Sequence, residues 1–382
     1  MAAHLVIDNY PGFIAPMLPF IAAEISIPLA KAMLVISIAN LTSYLLQPVF
    51  GFFADKLTKR FFIFWGILIG SIFIPAMGFA RNFVELALII VIGEIGVGFF
   101  HPQATGLVPV FSENENAAKK NIAWFLSLGT VGYGTGALIS TKLYDLFGAH
   151  SLMFTAVFGT LFAFTMFPFV PKISSKKTEE KPKVSVLRCI KDIFSHKIIK
   201  ILIEASILKS LIVSSFSMIL PFYWKQIGCS ASTIGTLSFV FLAASTAGML
   251  LSPYIEKKIG TKPLYYLSFL TVLPLALIFM FTQKYSPVPG YICFTLIGFL
   301  AFLTVPVNVT VSQKLLPEYK NLISGVVGGF SWGIIGVILP ILGMFAQKFG
   351  ILHALVAITC IPFLFGHRIK LLPEDLTAEI KE

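Results

Sequence analysis

The sequence has few charged residues for its length. Of 382 residues, 12% are Asp, Glu, Lys or Arg, whereas 57% are hydrophobic. Soluble domains contain about 25% charged residues, so this composition cannot cover a packed core with a water-exposed surface. Apolar stretches run almost from end to end, and the mean hydropathy is +0.87. The composition therefore excludes a soluble globular protein and predicts one that lies in a lipid bilayer.

Cysteine is also scarce. The four cysteines (Cys189, Cys229, Cys293 and Cys360) form no CxxC pair and no His/Cys spacing typical of a metal site. We interpret them as small packing residues and predict neither a metal nor a cofactor. The HExxH, GxSxG and Walker A patterns are missing as well, which argues against an enzyme and against ATP-driven pumping.

The N-terminus lacks the charged region and the cleavage site of a signal peptide, so the first apolar run is expected to belong to the mature protein. The net charge of +11 would suggest nucleic-acid binding in a soluble protein. Here the basic residues fall in short segments between apolar runs, so we read them as a signal of membrane topology and expect no nucleic-acid partner.

Twelve apolar runs are long enough to cross a bilayer, which takes roughly 20 residues in a helix. The predicted spans are 2–23, 32–54, 61–80, 83–108, 121–141, 150–170, 200–224, 232–255, 263–282, 288–312, 321–345 and 351–370. The predicted fold is an all-α polytopic membrane protein with two pseudo-symmetric six-helix bundles.

The distribution of Lys and Arg orients these spans. With both termini in the cytoplasm, 22 basic residues fall in inner segments and Lys209 lies within a span. The outer segments hold six, namely Lys31, Arg81, Lys142, Lys225, Lys284 and Lys348. Cytoplasmic loops of membrane proteins carry an excess of basic residues. The sequence thus predicts a multi-pass protein of the cell (inner or plasma) membrane with cytoplasmic termini.

One long polar segment, 171–197, falls near the middle of the chain. It predicts a basic cytoplasmic linker between an N-terminal bundle, 1–170, and a C-terminal bundle, 198–382. Two pairs of similar positions support an internal duplication. Gly51 and Ser252 begin matching short loops 201 residues apart, and Gly148 and Gly350 end similar strings 202 residues apart.

Four strings carry a resemblance to a known family. The loop from Gly51 through Asp55 to Lys59 and Arg60 resembles the G-x-x-x-D-x-x-x-[RK]-R signature of the major facilitator superfamily. The other three are His4-Leu-Val-Ile-Asp8 followed by Pro16 and Pro19, Tyr44-Leu-Leu-Gln47-Pro48-Val-Phe-Gly51, and Gly98-Phe-Phe-His101-Pro102. Together they resemble the fosmidomycin resistance protein branch of that superfamily. The resemblance implies proton-driven export of small polar or drug-like molecules by alternating access.

Two departures from the family pattern concern the candidate site. The family has Glu after the His-Pro pair, whereas this chain has Gln103. The family's first span begins about two turns before the histidine, whereas His4 is almost the first residue here. The first helix is therefore expected to be short, or the sequence to be truncated.

Ionisable residues inside spans are expensive and are functional candidates by default. Asp8 lies four residues after His4 on the same helix face and can carry a proton in each cycle; the alternative is a structural cap near the membrane surface. Glu94 and His101 share a face of the fourth span. Glu94 is a second candidate for the missing carboxylate, and His101 beside Pro102 suits a gating helix or a structural hydrogen bond between helices.

The second half offers two candidates. Lys209 interrupts the apolar seventh span and is predicted to attract an anionic substrate, to pair with Asp8 or Glu94, or to reach the inner interface by snorkelling. Asn308 in the tenth span is a cavity candidate or a helix–helix hydrogen-bonding residue. The resemblance implies that spans one, four, seven and ten line a common cavity.

Glycines recur at helical spacing in two spans. Gly129, Gly132 and Gly136 in the fifth, and Gly325, Gly329 and Gly333 in the eleventh, predict faces of close helix packing.

The leading functional hypothesis is a proton-coupled secondary transporter that acts as a monomer and exports a small molecule. A metabolite uptake permease would use the same fold. A non-transporting sensor is the alternative from another class, although it usually carries a sizeable soluble output domain. Substrate identity and transport direction are not readable from the sequence.

Overall fold

A computed structural model describes residues 1–45, 59–108, 111–170, 193, 195–283, 285–316, 323, 326–327 and 331–372. Within these ranges the chain forms helices and no strands. The first half contains α1 (Ala2–Asn9), α2 (Ile14–Glu24), α3 (Leu29–Leu45), α4 (Lys59–Phe73), α5 (Phe83–Leu107), α6 (Glu115–Phe147) and α7 (Phe154–Met166). The second contains α8 (Lys197–Ser214), α9 (Leu220–Gln226), α10 (Ala231–Ile259), α11 (Thr261–Leu270), α12 (Val272–Thr282), α13 (Val288–Phe302), α14 (Val305–Leu315), α15 (Ser331–Phe349) and α16 (Ile351–Ile369).

These helices confirm the predicted all-α membrane fold. Every predicted span overlaps a helical segment in its described part, and nine segments among the described residues are long and apolar enough to cross a membrane. The first of these runs from Ala2 to Glu24, so the early position of His4 still leaves a helical segment of 23 residues. Helix α3 is apolar but shorter than those nine.

Helix α6 is longer than the predicted fifth span, 121–141, because local capping extends both ends. The Asn114 side chain accepts the Ala117 N–H at 2.9 Å and begins the helix before the apolar run. At the other end, Gly148 takes φ = 79°, a left-handed conformation that glycine adopts without strain. Gly350 takes φ = 93° between α15 and α16, so both glycines of the sequence repeat join helices in the same way.

Three spans are interrupted rather than uniformly α-helical. A 3-10 turn at Pro11–Phe13 separates α1 from α2, and a π-helical turn at Ser215–Ile219 separates α8 from α9. In the tenth span, α13 ends at Phe302 and α14 begins at Val305. By contrast, α5 continues through Pro102 to Leu107. Such interruptions leave backbone polar groups without helical partners inside the spans.

The helices form two compact units. Unit 1 comprises Met1–Glu179, Pro221–Phe239 and Leu339–Gln347, and unit 2 comprises Glu180–Leu220, Val240–Ile338 and Lys348–Glu382. Most of the predicted linker, 171–197, lies outside the described residues. The division of the chain into bundles 1–170 and 198–382 therefore stays a prediction.

Two side chains in unit 1 cap helices that are distant in sequence. The Asp145 carboxylate accepts the Ala231 N–H at 3.2 Å and the Ser232 N–H at 2.7 Å, at the start of α10. The Gln347 side chain accepts the Ala30 N–H at 3.2 Å, at the start of α3. Asp145 and Gln347 are 202 residues apart, the same offset as the paired glycines. Unit 1 therefore contains a pair of caps related by the internal repeat.

Candidate functional site

Asp8 lies between two histidines in unit 1. Its Oδ2 atom is 3.0 Å from His4 Nε2, and its Oδ1 atom is 3.3 Å from His101 Nε2. The His4 side chain is 4% exposed and the Asp8 side chain 15%. The i,i+4 spacing on α1 brings His4 to Asp8, and the packing of α1 against α5 adds His101. The sequence predicted all three residues as candidates, and the structure brings them together.

The hydrogen bonds of His4 fix the proton content of this cluster. His4 Nδ1 is 2.7 Å from the Phe125 carbonyl oxygen. A carbonyl oxygen only accepts, so Nδ1 carries a hydrogen. Two lone pairs facing each other at 3.0 Å would repel, so one further proton lies between His4 Nε2 and Asp8 Oδ2. In this arrangement His4 and Asp8 therefore share a hydrogen bond.

The fifth-span helix α6 supports the cluster closely. The Phe125 ring stacks on the His4 ring with centroids 3.9 Å apart. A Cβ atom added at Gly129 would lie 2.6 Å from Asp8 Oδ2 and would overlap the His4 ring. Cβ atoms at Gly132 and Gly136 would overlap the backbone carbonyl groups of α1. The glycine face of α6 thus lies directly against α1.

A second buried carboxyl group lies near Asp8. Glu94 on α5 is 6% exposed, and its carboxyl group is hydrogen-bonded to the Ser43 side chain of α3. Glu94 also interacts electrostatically with Asp8, and the hydroxyl groups of Tyr44 and Tyr133 interact with both carboxyl groups. Glu94 therefore lies within electrostatic range of Asp8, and the described residues show no direct pair between Glu94 and a histidine.

The same three side chains could surround a cation. The nearest ligand atoms of His4, Asp8 and His101 all lie within 4.8 Å of one another. The sequence shows no such spacing because His101 is far from the other two in the chain. However, both carboxylate oxygens already face imidazole nitrogens at 3.0 and 3.3 Å, an arrangement suited to proton exchange. The absence of a metal site therefore stays the prediction.

Asn308 in unit 2 joins three helices. Its Nδ2 atom donates to Ser206 Oγ on α8 at 2.9 Å, and its Oδ1 atom accepts from the Tyr265 hydroxyl on α11. Asn308 and Tyr265 are both buried. Its contacts match the hydrogen-bonding alternative given for this residue, and a role in a cavity stays a prediction.

Lys209 is buried in unit 2. Lys209 is 5% exposed, and its Nζ atom lies 4.9 Å from the Trp332 ring centroid and 5.4 Å from the Phe302 ring centroid. Asp8 and Glu94 belong to unit 1 and Lys209 and Asn308 to unit 2. The pairing of Lys209 with either carboxylate, and the convergence of these residues on one cavity, therefore stay predictions.

Glu204, also on α8, pairs with Arg368 of α16. Arg368 Nη2 lies 2.8 Å from Oε1, and Nε lies 3.1 Å from Oε2, which makes the pair bidentate. The two side chains are 38% and 40% exposed. Glu204 is therefore part of a partly exposed ion pair rather than of a buried site.

Removing this ion pair is expected to have a small effect. Exposed pairs contribute about 0–1 kcal/mol because water screens them. Arg368→Gln should therefore lower the unfolding temperature by a few degrees at most and leave transport unchanged. A thermal unfolding curve of the purified variant checks this. A large loss of stability would show that the pair is effectively desolvated.

Several predicted residues fall outside the described part of the chain. The structure does not describe Gly51, Asp55, Gly325 and Gly329, and it describes Lys59 and Arg60 only as the first residues of α4. Gly333 is buried within α15. The roles assigned to these residues stay predictions.

Several residues that contact the candidates have no predicted role, among them Phe125, Ser43, Tyr133 and Tyr265. Each reaches its partner across a helix–helix contact between segments far apart in the chain. Tyr44, by contrast, belongs to a string that resembles the family, but the resemblance gives it no role. A buried hydroxyl or ring in an apolar span is a weak signal on its own, since such residues also serve in packing.

Comparison with known proteins identifies the family of the chain. A family model described as Major Facilitator Superfamily matches residues 5–366. The chain is 25% identical over 356 residues to the fosmidomycin resistance protein of Escherichia coli K12, covering 90% of this chain and 84% of that protein. It is 24% identical over 330 residues to the quinolone resistance protein NorA of Staphylococcus aureus strain MSSA476, covering 85% and 80%.

Solved structures show the same fold at lower identity. The nucleoside transporter NupG matches with a TM-score of 0.76 at 13% identity and covers 97% of both chains. A bacterial homologue of the human lysosomal transporter Spinster matches with a TM-score of 0.79 at 15% identity, covering 97% of this chain and 95% of that chain.

Proposed function

The chain belongs to the Major Facilitator Superfamily, whose members are transporters of small molecules and not enzymes, and from this we propose that it is a proton-coupled exporter. The proposal concerns the coupling ion, the direction and the substrate. A secondary transporter alternates between openings to the two sides of the membrane, and a bound proton or substrate shifts the balance between them.

The close contact between His4 Nε2 and Asp8 Oδ2, at 3.0 Å inside a membrane span, is the observation that carries the proposal. An ionisable group inside a membrane span is costly unless it serves a function or is paired. Here the pair is incomplete, because Asp8 Oδ1 accepts no hydrogen bond among the described residues, although His101 Nε2 lies 3.3 Å away. A proton can therefore move between Oδ2, Oδ1 and the two imidazoles without large movement of the helices.

In the proposed cycle, proton binding at Asp8 and substrate binding oppose each other. If substrate binding lowers the affinity for the proton by some factor, proton binding lowers the affinity for the substrate by the same factor. A proton entering from the outside then displaces the substrate outward. The glycine face of α6 favours this coupling, because movement of α6 relative to α1 directly changes the surroundings of Asp8.

Export is supported by the relatives rather than by the fold. Two relatives are named for resistance to fosmidomycin and to quinolones, and resistance is the expected result of export. We further propose that the protein resides in the cell (inner or plasma) membrane with both termini in the cytoplasm, as the basic residues indicate. It is proposed to act as a monomer.

Proton flux in proteoliposomes tests this function. The purified protein is reconstituted with an internal pH indicator, and fosmidomycin or a quinolone is added on one side. We expect the compound gradient to drive proton movement in the opposite direction, with none in protein-free vesicles. Movement of both in the same direction would identify an uptake symporter. Compound flux without proton movement would refute the coupling, and ligand-dependent signalling without any flux would favour a sensor.

Replacing Glu94 with Gln separates the two candidate carboxylates. Gln keeps the hydrogen bond with Ser43 but cannot exchange a proton at neutral pH. We expect Glu94→Gln to retain coupled proton flux within about threefold, as befits a loss outside the acid–base pair itself. Flux reduced to the background level would move the coupling role from Asp8 to Glu94.

A further inference from the structure

Lys209 lies deep within a membrane span. It is the thirteenth residue of α8, about 18 Å along the helix from Lys197 at 1.5 Å per residue. A lysine that snorkels extends its ammonium group to the membrane interface. Lys209 is instead 5% exposed, and its ammonium group lies between the rings of Trp332 and Phe302. Its charge is thus held inside unit 2.

The described residues provide no carboxylate for this ammonium group. The ion pairs seen among them, of Asp8 with its two histidines and of Glu204 with Arg368, do not involve Lys209. Removing an ammonium group from water costs more free energy than two aromatic rings return. Unit 2 therefore holds a buried positive charge for which its described part contains no counter-ion.

The tenth span presents an interruption next to this charge. Asn308 contacts Ser206, and Phe302 contacts Lys209, so the two spans run antiparallel along each other. Thr304 lies between Phe302 and Asn308 in the chain and is therefore level with the segment from Ser206 to Lys209. It occupies the break between α13 and α14.

Thr304 has a polar group without a partner. Its Oγ1 atom is buried and forms no hydrogen bond among the described residues. Thr304 is also the N-cap of α14, a helix of 11 residues. The first N–H groups of a helix have no partner within it, and its N-terminus favours anions. A buried ammonium group, a free hydroxyl group and a helix N-terminus thus occupy the same level of unit 2.

We propose that this group binds a compact oxyanion, namely the carboxylate, phosphate or phosphonate group of a transported molecule. Lys209 neutralises the anion, Thr304 donates its hydroxyl hydrogen, and the two aromatic rings exclude water. Charge-assisted hydrogen bonds of this kind are among the strongest in proteins. The inference rests on the proposed function in assigning the anion to a substrate, but the anion site itself can be tested by binding alone.

The test uses the fluorescence of Trp332 in the full-length protein in lipid nanodiscs. Each anion is titrated beside a neutral partner of similar shape: propionate with propionamide, and methylphosphonate with its dimethyl ester. We expect saturable changes with an anion and none with its neutral partner. Trp332→Phe should remove the signal. Which anion saturates first distinguishes a carboxylate site from a phosphonate site.

Substitution of Lys209 gives the decisive comparison. Lys209→Met keeps an unbranched side chain, one atom shorter than that of lysine, and removes the charge. It should weaken anion binding at least about tenfold, whereas Lys209→Arg should retain it. Lys348→Met is the matched control, because Lys348 also lies over a ring, that of Phe349 at 5.3 Å, but is exposed. It should bind as the unaltered protein does.

Equal responses to anions and neutral partners, or unchanged binding by Lys209→Met, would overturn the inference. If Lys209→Met does not fold, Thr304→Val gives the answer through a loss of about tenfold or more, the size expected for one hydrogen bond to a charged group. Anion binding that depends on Lys209, without substrate-driven proton flux, would support the anion site and refute the proposed proton coupling. If no anion binds and Lys209→Met leaves substrate-driven proton flux unchanged, the anion site is refuted and the proton coupling is supported.

Discussion

Asp8→Asn is expected to slow the proton movement driven by fosmidomycin or a quinolone about 100-fold. This is the effect of losing a positioned acid–base group. The amide matches the carboxylate in shape and can donate a hydrogen bond to His4 Nε2, while His4 Nδ1 continues to donate to Phe125. The variant should therefore fold and bind its ligands. It has no exchangeable proton at the position between the two histidines.

The measurement is the initial rate of internal pH change in proteoliposomes, normalised to the amount of reconstituted protein. Glu113→Gln is a matched control, since Glu113 is an exposed carboxylate outside the cluster. It should show the flux of the unaltered protein. Coupled flux that survives in Asp8→Asn would remove Asp8 from the mechanism. Retained compound binding with lost flux is the expected pattern.

Alanine at Gly132 or Gly136 is expected to destabilise the protein severely. In an ordinary helix interior the same change stabilises by about 0.5–1 kcal/mol. Here the new methyl group would overlap the carbonyl of Leu5 in the first case and that of Asn9 in the second. Backbone atoms cannot rotate away, so α1 and α6 must separate. We expect a loss of about 3 kcal/mol or more, the upper range for overpacking.

Thermal unfolding in one detergent, followed by the monodisperse fraction that remains, measures this effect. Gly70→Ala is the matched control in a neighbouring helix. A Cβ atom there would meet the terminal methyl group of Ile7 at 2.7 Å, and its next contact, Val97 Cγ2, is at 3.7 Å. A flexible methyl group can shift, so this variant should lose little stability. Equal unfolding temperatures for all three variants would contradict the close packing of α1 on α6.

The sequence was sufficient to predict the helices because the bilayer imposes a simple rule on them. Each span needs about 20 apolar residues, and no other feature competes with that signal. The ends were less predictable. Asn114 begins α6 six residues before the predicted span because a side-chain cap, rather than hydrophobicity, decides where a helix starts. The interruption at Leu303 and Thr304 is also invisible to an apolar average.

Part of the candidate site was predictable for a different reason. His4 and Asp8 are one helical turn apart, so their proximity follows from helix geometry alone. The Phe125 carbonyl that fixes the tautomer of His4 is 121 residues away, and the Ser206 partner of Asn308 is 102 residues away. Contacts of this range depend on which helices pack together, and a single sequence contains little information about that choice.

The two caps of unit 1 have a consequence for how the protein is made. During synthesis, the Asp145 carboxylate has no N–H partners until Ala231 and Ser232 have been added to the chain. The Ala30 N–H has no side-chain partner until Gln347 has been added, later still in synthesis. Unit 1 also includes Pro221–Phe239 and Leu339–Gln347, so its last helical segment is among the last parts translated. The N-terminal helices must therefore remain in the membrane as an unfinished assembly, and a fragment that ends at residue 170 would lack both caps.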